Sequence, residues 1–251
     1  MEKAIGGNTE QEKTCFLGTI TKYKIEGSTL KIFNLSDSAW EEMKILDISS
    51  DTISFLKNNG DTSKYAKLYY PVNDNVLFDE LVVSSSGCLG ECPINNIIIN
   101  KSGKIIYYGE KYNKKNGSYT SFISNEQYNQ IEMSFRKADV TNLNENYIAG
   151  HTDDVTVSLT FLKDNKIIKS IIDYRNEAPT QLYWAYMPVR NLYSLIKLDT
   201  ISFAQPLIGS VSDMIFNLLL STSLSQSEAF YLCNLLRQSK LTNASLIRNI
   251  R

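Results

Sequence analysis

The spacing of apolar and polar positions divides the chain into a β-rich first part, a middle in which strands and helices alternate, and a tail with helical spacing. Ile20 to Ile25 and Thr29 to Phe33 have a β pattern on either side of a turn at Glu26-Gly27-Ser28, as a hairpin does. Glu42 to Ile48 and Thr52 to Leu56 repeat the pattern across Ser49-Ser50-Asp51. These four strands predict a meander within residues 14–70, whose apolar face needs more strands or a second layer to cover it. Residues 1–13 are polar, with little to bury, and read as a flexible N-terminus. Residues 57–78, with Asn58-Asn59-Gly60-Asp61 and Pro71-Val72-Asn73-Asp74-Asn75, read as a linker with one apolar segment at Leu68-Tyr69-Tyr70.

A central α+β domain is expected over residues 79–198. It begins with a strand from Glu80 to Ser84, which runs into Gly87-Cys88-Leu89-Gly90-Glu91-Cys92-Pro93. Ile94 to Asn100 and Lys104 to Gly109 form a hairpin whose turn places Gly103 where positive φ is required, and Tyr119 to Ile123 adds a strand. Ser124-Asn125-Glu126-Gln127 has the capping-box spacing and opens a helix with Tyr128, Ile131 and Phe135 on one face. Val155 to Phe161 alternates strictly and turns at Asp164-Asn165 into a strand from Lys166 to Asp173. Pro179 suits the first turn of a second helix, with a stripe of Leu182, Tyr186, Val189, Tyr193 and Ile196 that Pro188 should kink.

Residues 199–251 read as a helical C-terminal extension: one helix over Leu207 to Leu220, and another opened by the box Ser225-Gln226-Ser227-Glu228. The expected fold class is α+β, an antiparallel β-sheet with helices packed on one face, preceded by the β-meander and followed by the helical tail.

Composition narrows the function classes. Of 251 residues 43% are apolar and 21% charged, as in an ordinary folded domain. The 26 basic and 27 acidic residues are interspersed, so no basic patch predicts a nucleic-acid partner. The longest candidate, Met214 to Leu220, falls well short of the roughly 18 apolar residues that a membrane-spanning helix needs. Residues 1–14 lack the apolar core of a secretory signal. No cofactor is expected: Gly87-Cys88-Leu89-Gly90 is followed by neither a helix nor a lysine and is no phosphate cradle. The 15 tyrosines suit half-buried sheet positions better than a ligand platform.

Chemistry concentrates on Cys88 and Cys92, with Gly90 between them and Pro93 just beyond. A tight turn brings such a pair within disulfide reach, and closing so small a loop restricts the unfolded chain by about 2 kcal/mol in the loop-entropy treatment. A structural staple is the favoured reading. Two others stay open: a redox-active thiol pair, which ordinarily sits at a helix N-terminus, and half of a zinc site completed by His151 with Asp153 or Asp154. His151, the single histidine, lies in Gly150-His151-Thr152-Asp153-Asp154. A hydrolase would use it as base with Asp153 as orienter, yet no nucleophile-elbow sequence accompanies it, and an exposed loop histidine is the plainer reading. Cys233 shares an apolar helical face with Phe230 and Leu236 and reads as a small buried hydrophobe.

Cys88-Leu89-Gly90-Glu91-Cys92-Pro93, with Ile97, Ile99, Gly103, Ile106, Tyr108 and Gly109 after it, resembles a bacterial domain family of unknown function whose marker is C-x-G-x-C-P at the head of a hairpin. The likeness spans residues 79–198. It implies a periplasmic, envelope or secreted protein without assigned activity, the cytoplasm being the alternative for a chain without a signal. Tyr23-Lys24-Ile25-Glu26-Gly27-Ser28-Thr29-Leu30, with Trp40 following, resembles the closing hairpins of lipocalin-like domains of small bacterial envelope proteins. The expected function is a non-catalytic binding or structural module acting on a small ligand or a protein, the alternative being a thiol-dependent redox protein or enzyme using Cys88 and Cys92.

Overall fold

The structure, a computed structural model, describes residues 21–201, 215–217 and 221–238. The expected N-terminal segment 1–13 and Cys15 lie outside the described residues. Two compact units separate: one runs up to Pro71, and the other takes Val72–Cys88 and the residues from Cys92 on.

In the first unit β1 (Tyr23–Glu26), β2 (Thr29–Asn34), β3 (Ala39–Ile48), β4 (Thr52–Leu56) and β5 (Thr62–Ala66) form an antiparallel sheet in sequence order. The register puts Ile25, Leu30, Ile32, Met43, Phe55 and Tyr65 on one face, of which only Phe55 is buried. The opposite face carries ion pairs from Lys31 Nζ to Glu26 (3.0 Å) and Glu42 (2.7 Å). β5 corrects the expected linker over residues 57–78. Its sequence, Thr-Ser-Lys-Tyr-Ala, has one large apolar side chain, so pairing with β4 makes the strand where hydrophobic pattern does not.

The second unit is built on an eight-stranded sheet of order β10-β12-β11-β6-β7-β8-β9-β13. Its strands are β6 (Glu80–Ser85), β7 (Ile94–Asn100), β8 (Lys104–Lys111), β9 (Gly117–Phe122), β10 (Asn146–Tyr147), β11 (Thr156–Lys163), β12 (Lys166–Tyr174) and β13 (Asp199–Thr200). All neighbours are antiparallel except β10 and β12, which run parallel. The β7–β8 turn needs its glycine: Gly103 has φ +78°, and a Cβ there would lie 2.2 Å from the Ile123 carbonyl oxygen.

Helix α1 (Asn125–Lys137) starts at the predicted box, with Gln127 N donating to Ser124 Oγ (3.2 Å) and Ser124 N to Gln127 Oε1 (2.9 Å). Helix α2 (Thr180–Arg190) follows Pro179 and ends two residues beyond Pro188, and a 3-10 turn continues its stripe to buried Tyr193. Both pack on the face formed by Leu81, Val83, Ile97, Ile99, Leu159 and Phe161. Helix α3 (Gln226–Gln238) packs on the other face, where Ala229, Phe230 and Cys233 meet Val82, Ile98 and Leu162. The sheet is therefore covered on both faces, which corrects the expectation of helices on one. The expected helix over 207–220 is also corrected where it is described. Ile215–Asn217 is strand β14 and pairs with β15 (Ser221–Ser223). No helix among the described residues is long and apolar enough to cross a membrane.

Candidate functional site

The cysteine turn links the two central strands of the sheet. Cys88 follows β6, Cys92 precedes β7, and the two form a disulfide with Cα atoms 5.6 Å apart. Local geometry holds both ends. On the β6 side, Ser86 N donates to the Thr156 carbonyl (2.9 Å) and Thr156 N donates back to Ser86 Oγ (2.9 Å), tying the turn to β11. On the β7 side, Asn113 Nδ2 donates to the carbonyls of Ile94 (2.7 Å) and Lys111 (2.8 Å), while Asn95 Nδ2 donates to Asn113 Oδ1 (2.9 Å). Leu89, Gly90 and Glu91 are exposed and fall outside the compact body of the second unit.

The disulfide occupies both sulfurs, so in this state neither is a nucleophile or a metal ligand. Among the described residues no group of three or more His, Cys, Asp or Glu side chains is placed to hold a metal ion.

His151 meets Asp154, not Asp153. Its Nε2 lies 2.9 Å from Asp154 Oδ2, and Arg175 Nε lies 3.2 Å from the same oxygen. Asp154 N donates to the Tyr174 hydroxyl (3.0 Å), while Asp153 takes a left-handed φ of 78° and accepts from Thr152 Oγ1. With the guanidinium sharing the carboxylate, the cluster is an exposed ion-pair network that fastens the loop before β11. No nucleophile is hydrogen-bonded to His151 among the described residues.

Comparison with known families adds one result. Residues 79–193 match the model of a domain of unknown function, DUF6438. The DUF6438 match opens one residue before β6 and closes with the 3-10 turn after α2, so β1–β5, β13–β15 and α3 lie outside it. No curated protein matches the chain.

Inside the DUF6438 region the structure shows a polar centre that the sequence reading passed over. Asp173, fully buried, accepts from the Tyr186 hydroxyl (2.8 Å) and the Ala178 amide (3.0 Å). Burial pushes its carboxyl above the ordinary value, and these two donors oppose that shift. Burial and the Asp173 charge raise the Tyr186 phenol in turn, so it stays a donor. The arrangement locks α2 to β12. Its signal was legible: Asp173 falls two residues after Ile171, at an inward position of an alternating strand.

Proposed function

We propose that the chain carries a non-catalytic binding or structural module of a bacterial cell envelope, with the Cys88–Cys92 disulfide as the clasp that joins its two central strands. The observation that carries the reading is the closed disulfide in an exposed turn. Structural disulfides form in oxidising compartments and are rare in cytosolic proteins. The C-x-G-x-C-P sequence belongs to this reading as the marker of the domain, and so does a lipocalin-like origin for the meander, supported by its consecutive up-and-down strands. The partner in this view is a small ligand or a protein, met by a surface outside the cysteine turn.

A redox role is the competing reading, and a redox titration separates the two. The protein is equilibrated in glutathione buffers, quenched by alkylation and analysed by mass spectrometry. A clasp stays oxidised across the poise of the cytosol, because structural disulfides resist reduction by the glutathione pool. A pair that exchanges within that range and reduces insulin in the presence of a dithiol would overturn the proposal.

A further inference from the structure

We infer that the cavity at the turn end of the central sheet, at the opposite end of β6 from the cysteine turn, binds a small organic ammonium ion between the Glu80 carboxylate and the Tyr231 hydroxyl. This goes beyond the reading above, and its failure would leave the clasp untouched.

The cavity, open to solvent on one side, has a volume of about 390 Å³ and is walled by Asp79 and Glu80 at the start of β6, the β7–β8 turn at 100–102, Leu162 with the β11–β12 turn at 164–165, and Tyr231 of α3. The wall is held by its own bonds. Asp79 Oδ1 takes the Lys101 ammonium at 2.8 Å, and Asp79 Oδ2 takes the Asp164 amide at 3.0 Å. Asn100 Oδ1 accepts from the amides of Ser102 (3.2 Å) and Lys104 (3.1 Å). Asp164 and Asn165 both take left-handed φ, closing the β11–β12 hairpin in a two-residue turn.

Two polar groups on this wall are left over. Glu80 is half-buried, and its carboxylate has no ion or hydrogen-bond partner among the described residues. Tyr231 is 8% exposed, and its hydroxyl likewise has none. Glu80 lies on the α3 face of the sheet, as Val82 does, and its charge adds to the upward push that burial gives the Tyr231 phenol, so the two groups share one side of the cavity. Burial also raises the Glu80 carboxyl, a cost that a bound cation relieves.

The sign and size of the ligand follow. Three carboxylates against one ammonium exclude an anion. A divalent metal needs several converging oxygens, and among the described residues no group of three or more acidic side chains is placed to hold one. The volume fits a small organic molecule, for which Leu162 and the Tyr231 ring supply an apolar wall. An ammonium group meets the Glu80 carboxylate in a charge-assisted bond, and a hydroxyl on the same molecule reaches the Tyr231 oxygen.

The test is an NMR titration of the full chain with ethanolamine at neutral pH, with ethylene glycol and magnesium chloride as controls. The expected result is saturable shifts confined to the amides of residues 79–80, 100–103, 162–165 and 231, absent with either control. Glu80→Gln keeps the shape, removes the charge and weakens the affinity by about tenfold or more; Tyr231→Phe gives a smaller loss and serves as the second variant if Glu80→Gln does not fold. Shifts that fail to saturate, that ethylene glycol or magnesium reproduces, or that survive both substitutions would overturn the assignment.

Discussion

At the scale of single residues, the central unit is defined by polar groups placed in its core and by glycines that admit no side chain. Among the described residues Asp173 is held by neutral donors, not by a cation, so each donor counts. Tyr186→Phe removes a hydrogen bond to a buried carboxylate and is expected to cost about 2 kcal/mol, read by urea unfolding; a loss indistinguishable from zero would show that the bond is not a restraint on α2. Gly103→Ala combines positive φ with a carbonyl in the path of the new Cβ, and should destabilise by on the order of 2 kcal/mol. Glu80 sets a pH dependence. Its folded carboxyl lies above its unfolded value, so its contribution is fully present below the ordinary carboxylate range and is lost as pH rises through the raised value. Glu80→Gln should therefore stabilise the protein at neutral pH and flatten that part of the stability profile, whereas a destabilised variant at neutral pH would contradict the burial of an unpaired charge.

At the scale of elements, local chemistry was the legible part. The capping boxes at Ser124 and Ser225, the Asn100–Gly103 turn and the alternation of β11 all follow from spacing, because each is satisfied within a few residues of chain. The covering of both sheet faces also left a trace. Leu81-Val82-Val83 and Ile97-Ile98-Ile99 are continuous apolar runs, which strands buried on both sides require. β11 hid it, since its second face is Ser158 and Thr160, residues that read as solvated. They are buried because α3 docks there by hydrogen bonds: Ser227 N donates to Ser158 Oγ (3.0 Å), Thr160 Oγ1 lies 2.8 Å from Ser227 Oγ, and Ser170 Oγ donates to Glu228 Oε1 (2.6 Å). β5 was illegible for another reason, since a short strand with few apolar residues is set by its partner and not by its own pattern, and β14 was hidden because a short apolar segment fits a helix as well as a strand. Glu228 both caps α3, accepting from Ser225 N at 2.8 Å, and bridges to β12. Glu228→Ala should cost about 1 kcal/mol and speed hydrogen exchange in α3 while leaving α1 and α2 protected. Uniform loss of protection across all three helices would mean that α3 does not open alone.

At the scale of the whole molecule, two units with different construction share the chain. The first is a meander with a largely exposed apolar face, and the second is a sheet closed between helices, with the DUF6438 match as its body and α3 as an added cover. The second unit carries its candidate chemistry at the two ends of β6: the clasp, which the sequence had marked by its cysteines, and the cavity at Glu80, which it had not. His151, Asp153 and Asp154 belong to neither, since the Asp154–Arg175 contact absorbs the histidine in a surface network. The clasp is the central claim, and calorimetry of the full chain with and without reductant tests it most directly. Opening the loop should lower the melting temperature of the second unit by about 4–8 °C, from the ~2 kcal/mol that so small a ring supplies, and leave the transition of the first unit in place. A second-unit transition that stays fixed while alkylation shows both thiols free would contradict it.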